Sequence, residues 1–233
     1  MSNSYRILWT RYLAPSYIQQ ALEHNIEIEV VPFIKTTTCF NDSNGCELQE
    51  LAIEHVTAVF TSASAVNAIA QYAANATWEV FCLAGATQDM VKEKLPYTTI
   101  KATASNATEL ADTIVKTPKI KRVHFFCGDL HLPKLPQILN DNHIDVVKYI
   151  VYKTQLSPVA INKHYDGIAF YSPSAVESFL SKNTLPENTF AFCIGPTTAR
   201  ALKDYTDKII ISDGSDTAHL LQAMISHFKT EKN

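Results

Sequence analysis

Two segments of this sequence gather hydroxyl groups in the same order. Phe60-Thr61-Ser62-Ala63-Ser64-Ala65-Val66 and Phe170-Tyr171-Ser172-Pro173-Ser174-Ala175-Val176 lie 110 positions apart. Each follows a short apolar run and precedes helical spacing, so each puts serines at a strand-to-helix junction. Serine can cap the helix there, a role worth about 1 kcal/mol. It can also join the unpaired N–H groups of the first turn in holding an anion. Capping accounts for a single junction, whereas the same pattern twice suits an extended ligand with several anionic groups. Thr87 and Thr197-Thr198 add hydroxyls at the next junctions.

Other chemistries are poorly served. The eight histidines give no H-E-x-x-H and the five cysteines no C-x-x-C pair, so no metal site is nominated. The six glycines never stand closer than nineteen positions apart. That removes the dinucleotide fingerprint, the phosphate-binding P-loop and the nucleophile elbow, and nucleotide cofactors with them. Cys127, beside Gly128-Asp129 at a strand end, lies where a nucleophile could stand, but a buried free thiol is the favoured reading. Tyr152 differs from the other tyrosines in ending a strand at a crossing between two lobes.

Composition narrows the partners. The 233 residues are 46% hydrophobic and 18% charged, with 20 Lys+Arg against 23 Asp+Glu for a net charge of −3. Four arginines and no basic run leave no footprint for a nucleic-acid backbone. The longest uncharged stretch, Val56 to Trp78, is punctuated by eight Ser, Thr, Asn and Gln residues and does not read as a membrane span. Unevenly spread cysteines suggest free thiols in a reducing cytoplasm. The expectation is a cytoplasmic monomer with no nucleic-acid or membrane partner.

These residues need a scaffold, and the chain supplies a repeating one. Candidate strands are Arg6–Thr10, Ile26–Phe33, Ala58–Thr61, Glu79–Leu83, Thr98–Ala102, Arg122–Cys127, Ile144–Tyr152, Gly167–Tyr171, Phe190–Ile194 and Lys208–Ile211. Stretches with apolar spacing of three and four separate them, which is the βαβ signature of a parallel sheet. Ten strands suggest two five-stranded sheets. An offset of 110 also matches Gly85 to Gly195, Thr87 to Thr197, Ser105 to Ser215 and Leu110 to Leu220. A second match at 118 relates Ile26–Thr36 to Ile144–Thr154. The chain therefore reads as a duplicated α/β fold, two similar flavodoxin-like domains of which one is discontinuous. Residues 1–35 plus 156–233 would form the discontinuous domain and 36–155 the inserted one, joined by a two-stranded connection near Ile34–Thr38 and Tyr152–Ser157. A ligand would bind at the carboxyl ends of the strands.

The segments Ile7-Leu8-Trp9-Thr10-Arg11, Phe60 to Val66, Val151-Tyr152-Lys153-Thr154, Phe170 to Val176 and Ile194-Gly195-Pro196-Thr197-Thr198-Ala199-Arg200-Ala201-Leu202 together resemble the uroporphyrinogen-III synthase family. Their order and spacing cover nearly the whole chain. The resemblance implies cyclisation of hydroxymethylbilane, a linear tetrapyrrole with eight carboxylates, to uroporphyrinogen III, with loss of water and inversion of ring D. It implies no cofactor. It places substrate contacts at Ser62, Thr87, Ser172 and Thr198, with Thr197 adjacent, and makes Tyr152 the candidate proton donor to the departing hydroxyl. Thr10, Arg11, Ser64, Gly128 and Ser174 complete the candidate set. Two departures stand out: Ala63-Ser64 replaces the Pro-Arg of many relatives, and Cys127-Gly128-Asp129-Leu130-His131 lacks an arginine found there in others. The competing reading is a non-catalytic two-lobe cytoplasmic binding protein or sensor for a polyanionic small molecule, which would share the helix ends without requiring Tyr152.

Overall fold

A computed structural model describes residues 4–39, 42–214 and 216–230. The chain opens with β1 (Tyr5–Trp9), α1 (Pro15–Leu22) and β2 (Ile26–Val30) and continues into β3 (Ile34–Thr38). Then follow α2 (Asp42–Ala52), β4 (Thr57–Phe60), α3 (Ala63–Ala73), β5 (Glu79–Leu83), α4 (Ala86–Lys94), β6 (Thr99–Ala104), α5 (Ala107–Lys116), β7 (Arg122–Gly128), α6 (Lys134–Asp141) and β8 (Asp145–Leu156). It closes with β9 (Gly167–Phe170), α7 (Pro173–Leu180), β10 (Phe190–Cys193), α8 (Pro196–Arg200), β11 (Ile209–Ile211) and α9 (Thr217–Thr230). Two compact units result: residues Met1–Lys35 with Gln155–Asn233, and Thr36–Thr154.

The first unit holds a sheet ordered β11-β10-β9-β1-β2 with parallel pairing throughout. Strand alternation sets its two faces. Ile7 and Trp9 enter one apolar cluster with Leu220, Leu221, Met224, Ile225 and Phe228 of α9. Leu8, between them, enters the other with Val176 and Phe179 of α7 and Ala199 of α8. Both faces are thus covered by helices, and the runs are near-continuously apolar, as buried parallel strands must be.

The second unit repeats this plan with the chain cut elsewhere. Its sheet runs β3-β8-β7-β4-β5-β6. Ala58 and Phe60 of β4 face Leu48, Val66, Ile69 and Val91 of α2, α3 and α4. Val59 faces Leu110, Ile114, Leu135 and Leu139 of α5 and α6. Numbered from its own first strand, the first unit reads 2-1-3-4-5, the flavodoxin-like order. The second gives the same order only if numbering begins at β7 and passes from β8 back to β4. That permutation is why the sequence repeats at two offsets rather than one.

Two expectations need correction. There are eleven strands among the described residues, in sheets of five and six, because Ile34–Thr38 is a paired strand and not merely an extended crossing. It runs opposite to β8: Cys39 N–H donates to Val151 O and Ser157 N–H to Phe33 O. The strand expected over Ile26–Phe33 ends at Val30, since Pro32 has no N–H to continue a ladder. Ser215 lies outside the described residues.

Candidate functional site

In an open parallel sheet, ligands meet the carboxyl ends of the strands where the strand order reverses. In the second unit that point lies between β4 and β7. Ser62 follows β4 with φ −150° and ψ 143°, and its Oγ accepts the Ala65 N–H at 3.2 Å, capping α3. The same Oγ is hydrogen-bonded to Tyr152 Oη at 3.1 Å, across ninety positions of sequence. Tyr152 belongs to β8, so its half-buried ring must pass over the end of the intervening β7 to reach Ser62.

Gly128 makes that passage possible. A Cβ on Gly128 would stand 2.5 Å from Tyr152 Cζ and 2.8 Å from its Oη. The aim of the ring comes from a bulge: Cys127 pairs with Ile150 but Gly128 pairs with Tyr152, leaving Val151 unopposed. A bulge re-aims the next side chain, and Val151 and Tyr152 accordingly both join one apolar cluster. The loop beyond is tied down. Asp129 N–H donates to Tyr152 O at 3.1 Å, and Asp129 Oδ1 accepts the N–H groups of Thr154 at 2.9 Å and Leu130 at 3.1 Å. His131 Nδ1 donates to Gly128 O at 3.0 Å.

In the first unit the order reverses between β1 and β9. Thr10, the position related to Gly128 by the 118 offset, is fully buried. Its Oγ1 donates to Ala169 O at 2.6 Å and its N–H to the same oxygen at 3.2 Å. Arg11 is exposed, with its guanidinium 4.9 Å from the centre of the Tyr171 ring. Tyr171 Oη donates to Thr217 Oγ1 at 3.0 Å, and burial pushes its pKa up to about 12. Ser172 caps α7 by accepting the Ala175 N–H at 3.2 Å, and Ser174 Oγ lies 3.5 Å from Ser172 Oγ.

The remaining candidates are more dispersed. Ser64 is half-buried in the first turn of α3. Thr87 is buried in the first turn of α4, behind Gly85, whose φ of 74° favours glycine. In α8 Thr198 is buried and Thr197 exposed, and the helix has no side-chain cap. At the Ser105 junction the cap is Asn106, which accepts the N–H groups of Thr108 and Glu109. Cys127 is buried, and burial pushes its thiol up to about 11, which disfavours the thiolate a nucleophile needs. No group of three or more His, Cys, Asp and Glu side chains among the described residues could hold a metal ion, and none of the described helices is long and apolar enough to cross a membrane.

Fold and site thus define a two-unit, doubly wound α/β protein with capping serines at both switch points and a phenol bonded to the cap at one. The family model described as uroporphyrinogen-III synthase HemD matches residues 16–222, and the chain belongs to that family. Its members are cyclising lyases of tetrapyrrole biosynthesis. Among solved structures, the chain is similar to the uroporphyrinogen-III synthetase of Helicobacter pylori. The TM-score is 0.66 at 16% identity, covering 96% of this chain and 99% of that one. A mutant uroporphyrinogen III synthase from the extremely thermophilic bacterium Thermus thermophilus gives 0.64 at 14% identity, covering 99% and 100%. These likenesses establish the shared fold. No curated protein matches the sequence significantly.

Proposed function

We propose that this chain closes hydroxymethylbilane to uroporphyrinogen III with inversion of ring D, and that Tyr152 is the acid of the reaction. The observation that carries this is the Tyr152–Ser62 pair, held at 3.1 Å over Gly128. Proton transfer from the phenol to the terminal hydroxyl lets the C–O bond break, releasing water and leaving a protonated azafulvene. Its carbon joins the substituted α-carbon of ring D to give a spiro intermediate; the bond from that carbon to the ring C bridge then breaks, and the bridge carbon recloses at the free α-carbon on the other side of the ring nitrogen, which sheds its hydrogen as a proton. A phenol is by its chemistry an available acid and a weak base. Ser62 O–H, donating to the phenol oxygen, would stabilise the phenolate left behind.

The remaining candidates suit the substrate's carboxylates. Eight carboxylates can be held by first-turn N–H groups and hydroxyls without a dense arginine cluster. Ser62, Ser64, Thr87 and Gly128 would serve in the second unit, and Thr10, Arg11, Ser172, Ser174, Thr197 and Thr198 in the first. The discontinuous and inserted units would act as the enzyme's two domains, in a cytoplasmic monomer that uses no cofactor. The test is to supply enzymatically made hydroxymethylbilane, oxidise the products and separate the isomers. The type III isomer should dominate, whereas spontaneous closure gives type I. An isomer ratio equal to the protein-free control overturns the proposal, and tight binding without turnover would favour the sensor.

A further inference from the structure

We propose that His131 is a second catalytic residue, the base that takes up the proton which ring D releases as the macrocycle closes. The inference rests on the functional reading above and goes beyond it in naming where that proton goes. The reaction needs both an acid and a base: one C–O bond and one C–H bond break, a C–C bond forms, and two protons move. The first travels from Tyr152 to the hydroxyl that leaves as water. The second, from the ring carbon, passes to His131 Nε2. Return of that proton through solvent to the Tyr152 phenolate resets both groups.

The geometry supports the base in three ways. A carbonyl oxygen only accepts, so the 3.0 Å bond to Gly128 O fixes the Nδ1–H tautomer and leaves Nε2 with its lone pair. The same bond would steady the imidazolium once it forms. The half-buried ring is further held edge-on to Phe125, at 5.8 Å between centroids. Gly128 thus positions both groups: its missing side chain admits the Tyr152 ring, and its carbonyl orients His131.

The surroundings also point to a ligand. Leu130 and Leu132, on either side of His131, are 57% and 56% exposed on a loop otherwise pinned by Asp129. Paired exposed leucines flanking a base suit a ligand with flat apolar faces, such as pyrrole rings. The ionisable groups on the neighbouring segments are Asp129, whose Oδ1 is engaged by two N–H groups, Cys127 of β7, Lys148, Tyr152 and Lys153 of β8, and Lys134 at the head of α6.

The test uses the full chain and enzymatically made hydroxymethylbilane, with uroporphyrin III as the binding probe. His131→Asn keeps a donor where Nδ1 stood and removes Nε2. It is expected to lower kcat about 10²-fold while KM and uroporphyrin III affinity stay within about twofold. The acid limb of the wild-type pH–rate profile, falling through the histidine range, should disappear in the variant. A kcat within about threefold of wild type overturns the proposal, as does a raised KM at unchanged kcat, which would make His131 a carboxylate contact. Should the variant fail to fold, the wild type still decides: no loss of turnover through the histidine range, at constant affinity, overturns the role. A wild type that yields no excess of type III isomer overturns both readings, whereas a normal wild type with an unimpaired His131→Asn overturns this one alone.

Discussion

The two switch points carry the same cap and different neighbours. Ser62 and Ser172 each accept the N–H three residues on, at 3.2 Å. Next to Ser62, Gly128 leaves room for a phenol to reach the serine oxygen. At the equivalent place in the first unit Thr10 fills the space and bonds back to Ala169. The tyrosine there, Tyr171, is committed to Thr217 and pushed up to about 12, which makes it a poorer acid than an ordinary phenol. The duplicated fold thus keeps the serine-capped helix start twice and the serine–phenol hydrogen bond once. Two side-chain differences separate the copies: glycine at 128 against threonine at 10, and tyrosine at 152 against isoleucine at 34.

The strongest way to break this contrast is Gly128→Ala. The added Cβ would meet the Tyr152 ring at 2.5 Å, far inside van der Waals contact. The ring must move, so kcat should fall about 10²-fold or more, with a stability loss of about 1–3 kcal/mol for overpacking. Steady-state kinetics and a denaturant titration would check both. Unchanged turnover would show that the ring's placement over Gly128 is not needed.

The paired serines sharpen the contrast. Ser62→Ala and Ser172→Ala should each cost about 1 kcal/mol of stability, because each removes one N-cap. Only Ser62→Ala should also reduce kcat, by about tenfold, since only Ser62 touches the phenol; Ser172→Ala should raise KM at near-normal kcat. Equal kinetic profiles for the two variants would mean that the two switch points do the same job.

Smaller effects are expected in the first unit. Thr10→Val removes a buried hydrogen bond but leaves Ala169 O with its second donor, so the loss should be about 1 kcal/mol by denaturant unfolding. Arg11→Gln should leave stability within about 0.5 kcal/mol, because the guanidinium is exposed, and raise KM if it meets a carboxylate.

Much of the fold was legible because parallel strands buried on both faces write unbroken apolar runs, as in Gly167–Phe170. The permutation was legible as two offsets, 110 and 118. β3 was harder, since Lys35-Thr36-Thr37-Thr38 is exposed and carries no apolar alternation. At the site, the serines announced themselves by repetition. The contact between Ser62 and Tyr152 did not, because ninety positions separate them and a one-residue bulge, invisible in sequence, aims the ring. Gly128 was readable as a glycine at a strand end but not as the floor beneath Tyr152. His131 is hard to read for the same reason: its partner is a backbone carbonyl, which no side-chain pattern records.

The most direct measurement is the kinetics of Tyr152→Phe, which keeps the ring over Gly128 and removes only the hydroxyl. The expected result is a kcat lowered about 10²-fold, with KM within about twofold and stability within about 1 kcal/mol. Near-normal turnover would contradict the assignment, removing the phenol from the chemistry and leaving substrate folding as the enzyme's whole contribution.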